Sequence, residues 1–413
     1  GSLMAHRSAA DPSAAGFDPA RLQRVADYAR AFVDDGLMAG TDVLVARRGR
    51  LALRSTAGLA DREAGVAVGE DTLWRIFSMT KPITSVAVMQ LAEEGRVRLR
   101  DHLAGFIPAF SDMRVFAGGT ADDPETVPVD RPITIADLLT HTAGLSYGIV
   151  NQHPVDEMYR RDGLIGARSE GTLEQVVDAI AGLPLRHQPG TRWSYSMATD
   201  VLGRVVEVAD GQPFAEALRR RILEPLGMVD TGFSVPDENL HRFAACYQPA
   251  PGTLAPVLFD PPATSTFREP AWSSGGGGLV SSMADYHRFC RMLLAGGALD
   301  GQRILGPRTV ALMMRNHLPE GADLTEVGDP LYHQGFFDGC GFGLGFAVVL
   351  DAAHGRIQAT EGEASWGGMA STAFWVDPAE DLHCVFLAQL VPSSTHIRLR
   401  WDLRSLVNQA IVE

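Results

Sequence analysis

The sequence predicts an α+β fold in which an antiparallel sheet flanked by helices is interrupted by a long, mostly helical insertion. Three observations predict it. A helix and two β segments open the chain, helical patterns dominate from about residue 100 to 270, and short β runs joined by turns follow residue 340. Strands joined by short turns pair antiparallel, and the early hairpin can complete the same sheet.

This order of elements also predicts the domain organisation. The chain is divided into a tag remnant and flexible N-terminus (1–16), a discontinuous α/β sheet domain (17–95 and 280–413) and a mostly helical domain (96–279). We expect the active site at the junction of the two domains.

The helices are predicted from apolar residues at helical spacing and from their start and stop residues. Asp18 is the expected N-cap of the first. Ser78 is the expected N-cap of the second, which has Pro82 in its first turn. The predicted helices cover 18–36, 78–95, 134–142, 172–182, 198–211, 213–227, 282–297, 306–316 and roughly 394–412.

The strands are predicted from short apolar runs bounded by turn residues. They cover a hairpin over 41–60 and the runs 341–351, 355–362, 369–377 and 382–390. The proline-rich stretch 247–270 is expected to be an irregular surface loop.

Composition excludes several classes of function. The 413 residues carry a net charge of −14 and 46% hydrophobic residues, which is typical of a soluble globular protein and argues against a nucleic-acid partner. No run of 18 apolar residues or signal-peptide pattern occurs, so we expect no membrane span and a cytoplasmic location. The four cysteines and twelve histidines lack metal-ligand spacing, so neither a metal nor another cofactor is expected.

The most informative residue is Lys81, the single lysine among 36 basic residues. An arginine keeps its proton in a protein, whereas a lysine can be tuned toward neutrality, so this position is a candidate for amine chemistry. Lys81 follows Ser78 by three residues at one end of a predicted helix, where the two side chains can meet. Lys81 could take the Ser78 hydroxyl proton or hold a neighbouring base in its reactive form.

A second serine, Ser146, lies in a literal G-x-S-x-G pattern over 144–148. That pattern marks an esterase nucleophile only between a buried strand and a helix. Here a helical pattern precedes it, and no clean helical start follows. We therefore expect Ser146 to be a turn residue, and His141 just before it to hold the same loop.

With these motifs in place, the chain resembles the serine β-lactamase and penicillin-binding-protein superfamily. The resemblance rests on Ser78-Met-Thr-Lys81, "LLTHTAGLSY" (138–147), "WSYSMATDVLG" (193–203) and Trp366-Gly367-Gly368. Within the superfamily the chain is most similar to family VIII carboxylesterases, which are close to class C β-lactamases and fungal acyltransferases. The resemblance runs from about residue 20 to the C-terminus and implies a β-lactamase/transpeptidase-like fold.

The resemblance also implies roles for matching positions. Ser78 would be the acylated nucleophile, Lys81 its activating partner, and Tyr195 the second proton-transfer residue. The backbone N–H groups of Ser78 and Met369 would form the oxyanion hole. Trp366, Gly367, Gly368, Met197 and Tyr147 are the expected pocket residues.

Two departures from the lactamase motifs bear on the substrate. Met197 stands where the tyrosine motif has asparagine, and Trp366 stands where the later motif has lysine. Both replace polar recognition by apolar surface, which favours a small-molecule ester that is hydrophobic and uncharged over an anionic β-lactam.

Three alternatives stay open at this point. They are a β-lactamase or D-amino peptidase, a transacylase on the same site, and a catalytically inactive binding module. The intact Ser-Lys-Tyr set argues against the last. The sequence indicates neither the physiological substrate nor the oligomeric state.

Overall fold

The computed structural model describes residues 10–149, 153–329 and 337–413. Its centre is an eight-stranded antiparallel sheet with the order β12-β13-β14-β15-β16-β1-β2-β3. The strands of this sheet are β1 (Gly40–Arg47), β2 (Arg50–Asp61), β3 (Val66–Ala67), β12 (Cys340–Phe342), β13 (Ala347–Val349), β14 (Ala364–Gly368), β15 (Thr372–Asp377) and β16 (Leu382–Leu387).

The sheet is built from both ends of the chain, as predicted. Strand β1 pairs antiparallel with β16, with Val43 opposite Phe386, and turns back into β2. The expectation that the early hairpin joins the C-terminal strands is therefore confirmed.

Smaller two-stranded ribbons surround this sheet. They are β4 (Leu73–Arg75) with β9 (Val280–Ser282), β5 (Arg114–Gly119) with β6 (Pro124–Pro128), β7 (Cys246–Pro249) with β8 (Pro256–Asp260), and β10 (Ala298–Leu299) with β11 (Gln302–Arg303).

Helices pack on both faces of the large sheet, and most of them lie in the chain segment between strands β3 and β12. They are α1 (Pro19–Asp34), α2 (Thr80–Glu93), α3 (Ile135–Leu139), α4 (Pro154–Arg161), α5 (Leu173–Ala181), α6 (Ala198–Asp210), α7 (Phe214–Leu218), α8 (Met283–Leu294), α9 (Pro307–Met313), α10 (Leu324–Val327), α11 (Ala352–Gly355) and α12 (Leu399–Asn408).

Strand β1 shows why the sheet is apolar on both faces. Its side chains alternate between two hydrophobic cores: Leu44 packs on the side of α2 and α8, and Val43 packs on the side of α1 and α12. Asp18 caps α1 by accepting a hydrogen bond from the Arg21 N–H, as predicted.

Three local predictions are wrong. The stretch 247–270 contains the β7–β8 ribbon, because the Tyr247 N–H donates to the Gln389 carbonyl at 2.9 Å and so anchors the ribbon to the end of the sheet. The stretch 355–362 forms no strand and leads from α11 into β14. The prediction of a flexible N-terminus is wrong for residues 10–16, because Ala15 is fully buried against the sheet. Residues 1–9 lie outside the described residues.

Candidate active site

Ser78 lies in a tight 3₁₀ turn, Phe77–Met79, that leads directly into α2. Phe77 has a φ of +43°, an uncommon backbone conformation of the kind that clusters at functional sites. The N-cap position of α2 belongs to Met79, so the prediction that Ser78 caps this helix is wrong. Because the turn precedes the helix, the Ser78 hydroxyl bonds to side chains instead of helix N–H groups.

Lys81 is the second residue of the buried helix α2, and it is about 1% exposed. Its Nζ donates to three oxygens: Ser78 Oγ at 3.1 Å, Tyr147 OH at 2.7 Å and the Gly276 carbonyl at 2.7 Å. An ammonium group has three N–H donors, and here each has an acceptor. The single lysine of the chain is therefore held at a fixed point beside Ser78.

Tyr195 is the second side chain that reaches the serine. Its hydroxyl donates to Ser78 Oγ at 2.6 Å, and the indole N–H of Trp366 donates to the Tyr195 oxygen at 3.2 Å. Lys81 Nζ lies 4.6 Å from the centre of the Tyr195 ring. The Tyr195 oxygen therefore lies between Ser78 Oγ and the Trp366 indole N–H, and the lysine nitrogen lies over the face of its ring.

His141 packs against this group from behind. Its ring lies 5.1 Å from the Tyr195 ring, and its Nδ1 is hydrogen-bonded to Ser196 Oγ at 3.0 Å. Burial, reinforced by the nearby Lys81 charge, lowers the pKa of His141 well below its usual value. The imidazole is therefore neutral and holds the loop.

Strand β14 brings the Trp-Gly-Gly motif against the serine turn. A Cβ on Gly368 would lie 2.6 Å from the Ile76 carbonyl oxygen, so only glycine allows this approach. Met369 follows at the end of the strand, and both residues line the same cavity as Ser78.

The carbonyl that holds Lys81 belongs to a run of four glycines, 275–278. Asp200 Oδ1 accepts hydrogen bonds from the Gly276 N–H at 2.9 Å and from Ser274 Oγ at 2.5 Å. Thr84 Oγ1 donates to the Gly275 carbonyl at 2.8 Å. The glycine run lies beside the site, and these bonds fix the position of its backbone.

Asp200 is fully buried, and its Oδ2 has no partner among the described residues. Burial raises the pKa of this carboxyl group, while Ser274, Lys81 and Gly276 lower it. Asp200 therefore places a buried acidic group behind the peptide that holds Lys81.

A cavity of about 730 Å³ opens in front of Ser78. This volume is within the range of pockets that hold drug-sized ligands. Its apolar lining includes Phe77, Tyr147, Ile149, Ile165, Phe337 and Trp366.

The cavity receives four of the five predicted pocket residues: Tyr147, Trp366, Gly367 and Gly368 line it. Met197 does not, and that prediction is wrong. Its side chain is fully buried in the core, because its N–H bonds to the Ser146 carbonyl and it leads into α6.

Ser146 is brought to a different place from Ser78. Its hydroxyl donates to the buried carboxylate of Asp156, and its side chain is about 1% exposed. Gly144 before it has a φ of +94°, a backbone conformation that favours glycine, and lies in the turn that follows α3 and its C-cap Thr140. The G-x-S-x-G pattern therefore forms a buried turn. Within this turn, the residue after Ser146 is Tyr147, whose hydroxyl contacts Lys81.

Three partners of the site were missed by sequence reasoning: the Gly276 carbonyl, the Tyr147 hydroxyl as a Lys81 acceptor, and Asp200. The glycine run is apparent in the sequence, but a sequence does not show which main-chain carbonyl accepts a hydrogen bond from the lysine. In the described ranges, no group of three or more His, Cys, Asp and Glu residues could hold a metal ion. Within the same ranges, no helix is long and apolar enough to cross a membrane.

The chain is similar to known proteins over nearly its whole length. The family model described as Beta-lactamase matches residues 25–409. Protein Rv1367c of Mycobacterium tuberculosis is 38% identical over 368 residues, with 88% of each chain covered. Esterase EstB of Burkholderia gladioli is 34% identical over 403 residues, which cover 91% of this chain and 93% of the relative.

A solved structure is also similar over nearly the whole length of the chain. EstCE1, described as a hydrolase with promiscuous acyltransferase activity, superposes with a TM-score of 0.77 at 29% identity. The match covers 94% of this chain and 98% of that one. The β-lactamase-like fold predicted from the sequence motifs is thereby confirmed.

Proposed function

The chain belongs to the β-lactamase family, and from that premise we propose that it is a carboxylesterase of the family VIII type, acting through an acyl-enzyme on Ser78. One observation carries the proposal: Ser78 Oγ lies 2.6 Å from Tyr195 OH and 3.1 Å from Lys81 Nζ, at the wall of an apolar cavity. A hydroxyl with two proton-transfer partners is an activated nucleophile.

In the proposed reactive form Tyr195 has released its own hydroxyl proton to solvent. Ser78 Oγ then attacks the ester carbonyl carbon while its proton passes to the Tyr195 phenolate. Tyr195 is assigned this role because its oxygen is nearer to Ser78 than the lysine nitrogen is. Lys81 stays cationic, since its three donors all have acceptors, and favours the phenolate.

The carbonyl oxygen becomes an oxyanion that accepts hydrogen bonds from the N–H groups of Ser78 and Met369. Its collapse breaks the ester C–O bond, and the leaving alkoxide takes the proton from Tyr195. In the second step water attacks the acyl carbon and Tyr195 accepts its proton. That proton passes to the Ser78 oxygen as the acyl C–O bond breaks, which restores the Ser78 hydroxyl and the Tyr195 phenolate. The products are the acid and the alcohol.

The cavity wall supports an uncharged, hydrophobic substrate. Trp366 occupies the place where a lactamase has its lysine, and its indole bonds to Tyr195. Phe77, Ile149 and Phe337 continue the apolar lining. Burial of an acyl chain there stabilises the complex by roughly 25 cal/mol per Å² of apolar surface removed from water.

The test is a mass measurement of the acyl-enzyme. The protein is mixed with p-nitrophenyl butyrate, quenched in acid, digested and mapped. We expect a butyryl group on the peptide that contains Ser78, and neither adduct nor turnover in Ser78→Ala. An adduct on another serine, or turnover without Ser78, would refute the assignment. A chromogenic cephalosporin tested in parallel should turn over far more slowly than the ester.

An acyltransferase is a second candidate on the same site. It is supported by the description of EstCE1 as a hydrolase with promiscuous acyltransferase activity. If an alcohol competes with water for the acyl-enzyme, adding one yields a new ester in the product mixture. Release of acid alone at high alcohol concentration would exclude this activity.

A further inference from the structure

Arg400 connects helix α12 to the turn that follows β14. It is the second residue of the helix, is half-buried and lines the same cavity as Ser78. Its Nη2 donates to the carbonyl oxygens of Gly368 at 3.1 Å and Thr372 at 3.2 Å. Gly368 and Thr372 face each other across the β14–β15 hairpin, so this guanidinium group closes the base of the turn.

The glycine before this pair makes room for the arginine. A Cβ on Gly367 would lie 2.3 Å from both Cζ and Nη2 of Arg400, closer than real Cβ contacts. The guanidinium group therefore rests against the bare backbone of Gly367. Trp366 and Gly368 face the serine, so Gly367 presents the opposite side of the strand.

The far side of the turn is anchored independently. Ser371 Oγ donates to the Leu390 carbonyl at 2.7 Å, and the Leu390 N–H donates to the Ala370 carbonyl at 3.0 Å. Arg400 thus holds the end of the turn next to β14, where Met369 follows Gly368.

We propose that Arg400 is a positioning residue of the oxyanion hole. The carbonyl of Gly368 and the N–H of Met369 are the two ends of one planar peptide unit and point in opposite directions. The Gly368 carbonyl accepts hydrogen bonds from Arg400 and from the Ser371 N–H, the latter at 3.2 Å, and these bonds together fix the direction of the Met369 N–H. Rotating the peptide would break both bonds, and Arg400 supplies the charged one. The positive guanidinium also polarises the peptide, which strengthens its N–H as a donor.

This inference rests on the proposed function, because it assigns a role to a neighbour of the proposed Met369 donor. Arg400→Met removes the donors and keeps most of the apolar stem. We expect kcat for p-nitrophenyl butyrate to fall about 10²-fold, the lower end of what loss of one oxyanion donor costs. KM should stay within threefold, because the oxyanion exists in the transition state and not in bound substrate.

A second variant and a control make the test specific. Gly367→Ala leaves the arginine in place but displaces its guanidinium group, and should lower kcat in the same way. Arg400→Lys retains a positive charge and N–H donors on a long side chain. It should restore part of the kcat that Arg400→Met loses. Arg398→Met removes a neighbouring exposed arginine that does not line the cavity, and should leave kcat unchanged.

Affinity for phenylboronic acid gives a readout that a merely structural role would not move. Its tetrahedral adduct on Ser78 places an oxygen in the oxyanion hole, so its affinity should fall in parallel with kcat. Unchanged kcat in folded Arg400→Met and Gly367→Ala would overturn the inference, as would a raised KM at constant kcat. A wild-type protein without Ser78-dependent hydrolysis would instead refute the proposed function.

Discussion

Ser146→Ala separates the two serines that sequence patterns offer as nucleophiles. Ser146 is buried, and its hydroxyl donates to the Asp156 carboxylate. Asp156 is also fully buried and keeps two other partners when that donor is lost: the His153 N–H at 3.2 Å and Arg186 Nε at 3.3 Å. The substitution therefore weakens a buried polar cluster without emptying it.

The expected cost follows from these contacts. A hydrogen bond to a charged group contributes about 1.5–3 kcal/mol, and its loss from a buried carboxylate is not replaced by water. For a chain of 413 residues this lowers Tm by roughly 2–3 °C. The backbone around Tyr147 should remain, because the Met197 N–H bonds to the Ser146 carbonyl and Gly148 bonds to Leu164.

The assay pairs thermal unfolding with p-nitrophenyl butyrate hydrolysis for Ser146→Ala and Ser78→Ala. We expect Ser146→Ala to lose stability and keep kcat within about threefold, a margin far below the 10²–10⁴-fold cost of losing a proton-transfer group. Ser78→Ala should show the reverse: no turnover and an unchanged Tm. A stable but inactive Ser146→Ala enzyme would refute the reasoning.

Lys81→Arg should lower kcat at least about 10²-fold, because a planar guanidinium group is too large for three acceptors set around one nitrogen and cannot reproduce their geometry. An active variant in a steady-state assay would show that this three-way contact is dispensable. Gly276→Ala should also slow turnover, since its Cβ would lie 2.8 Å from the buried Asp200 Oδ2 and would move the carbonyl that holds the lysine; a wild-type rate would mean that this carbonyl is dispensable. The half-buried His287 and the buried His383 are hydrogen-bonded through Nδ1 and Nε2 at 2.7 Å. Burial lowers the pKa of His287 to about 4 and that of His383 well below its usual value. Below pH 6.5 these two histidines bind protons in the unfolded chain but stay neutral in the folded one, so the free energy of unfolding of the wild type should fall between pH 6.5 and about 4. In His287→Gln it should fall less steeply. Equal slopes in urea titrations over this pH range would contradict the prediction.

Much of the fold was predictable because its local signals and its packing agree. Asp18 caps α1, and the late strands alternate with turn residues as antiparallel strands do. The β7–β8 ribbon was not predictable, because its prolines indicate a loop and its pairing depends on contact with a distant part of the chain. Ser78 was wrongly predicted as an N-cap because an N-cap serine and a serine inside a tight turn before a helix have the same local pattern.

The candidate site was predictable where it is made of side chains. Ser78, Lys81 and Tyr195 were identified as a set, and the structure brings all three within hydrogen-bond reach. Gly276 and Arg400 could not be assigned roles, because they act on or through backbone groups whose positions depend on the folded chain. Sequence spacing does not encode such contacts.

The lone lysine also gives this protein a spectroscopic property. In a chain with one side-chain amine, growth on lysine carrying ¹³C at its ε carbon marks a single side chain, and that side chain contacts Ser78, the proposed nucleophile. One resonance would then follow the charge of Lys81 through substrate binding, acylation and release, with no other lysine to overlap it. The same scarcity that singles out the residue in the sequence makes the active site visible by NMR in an enzyme of this size.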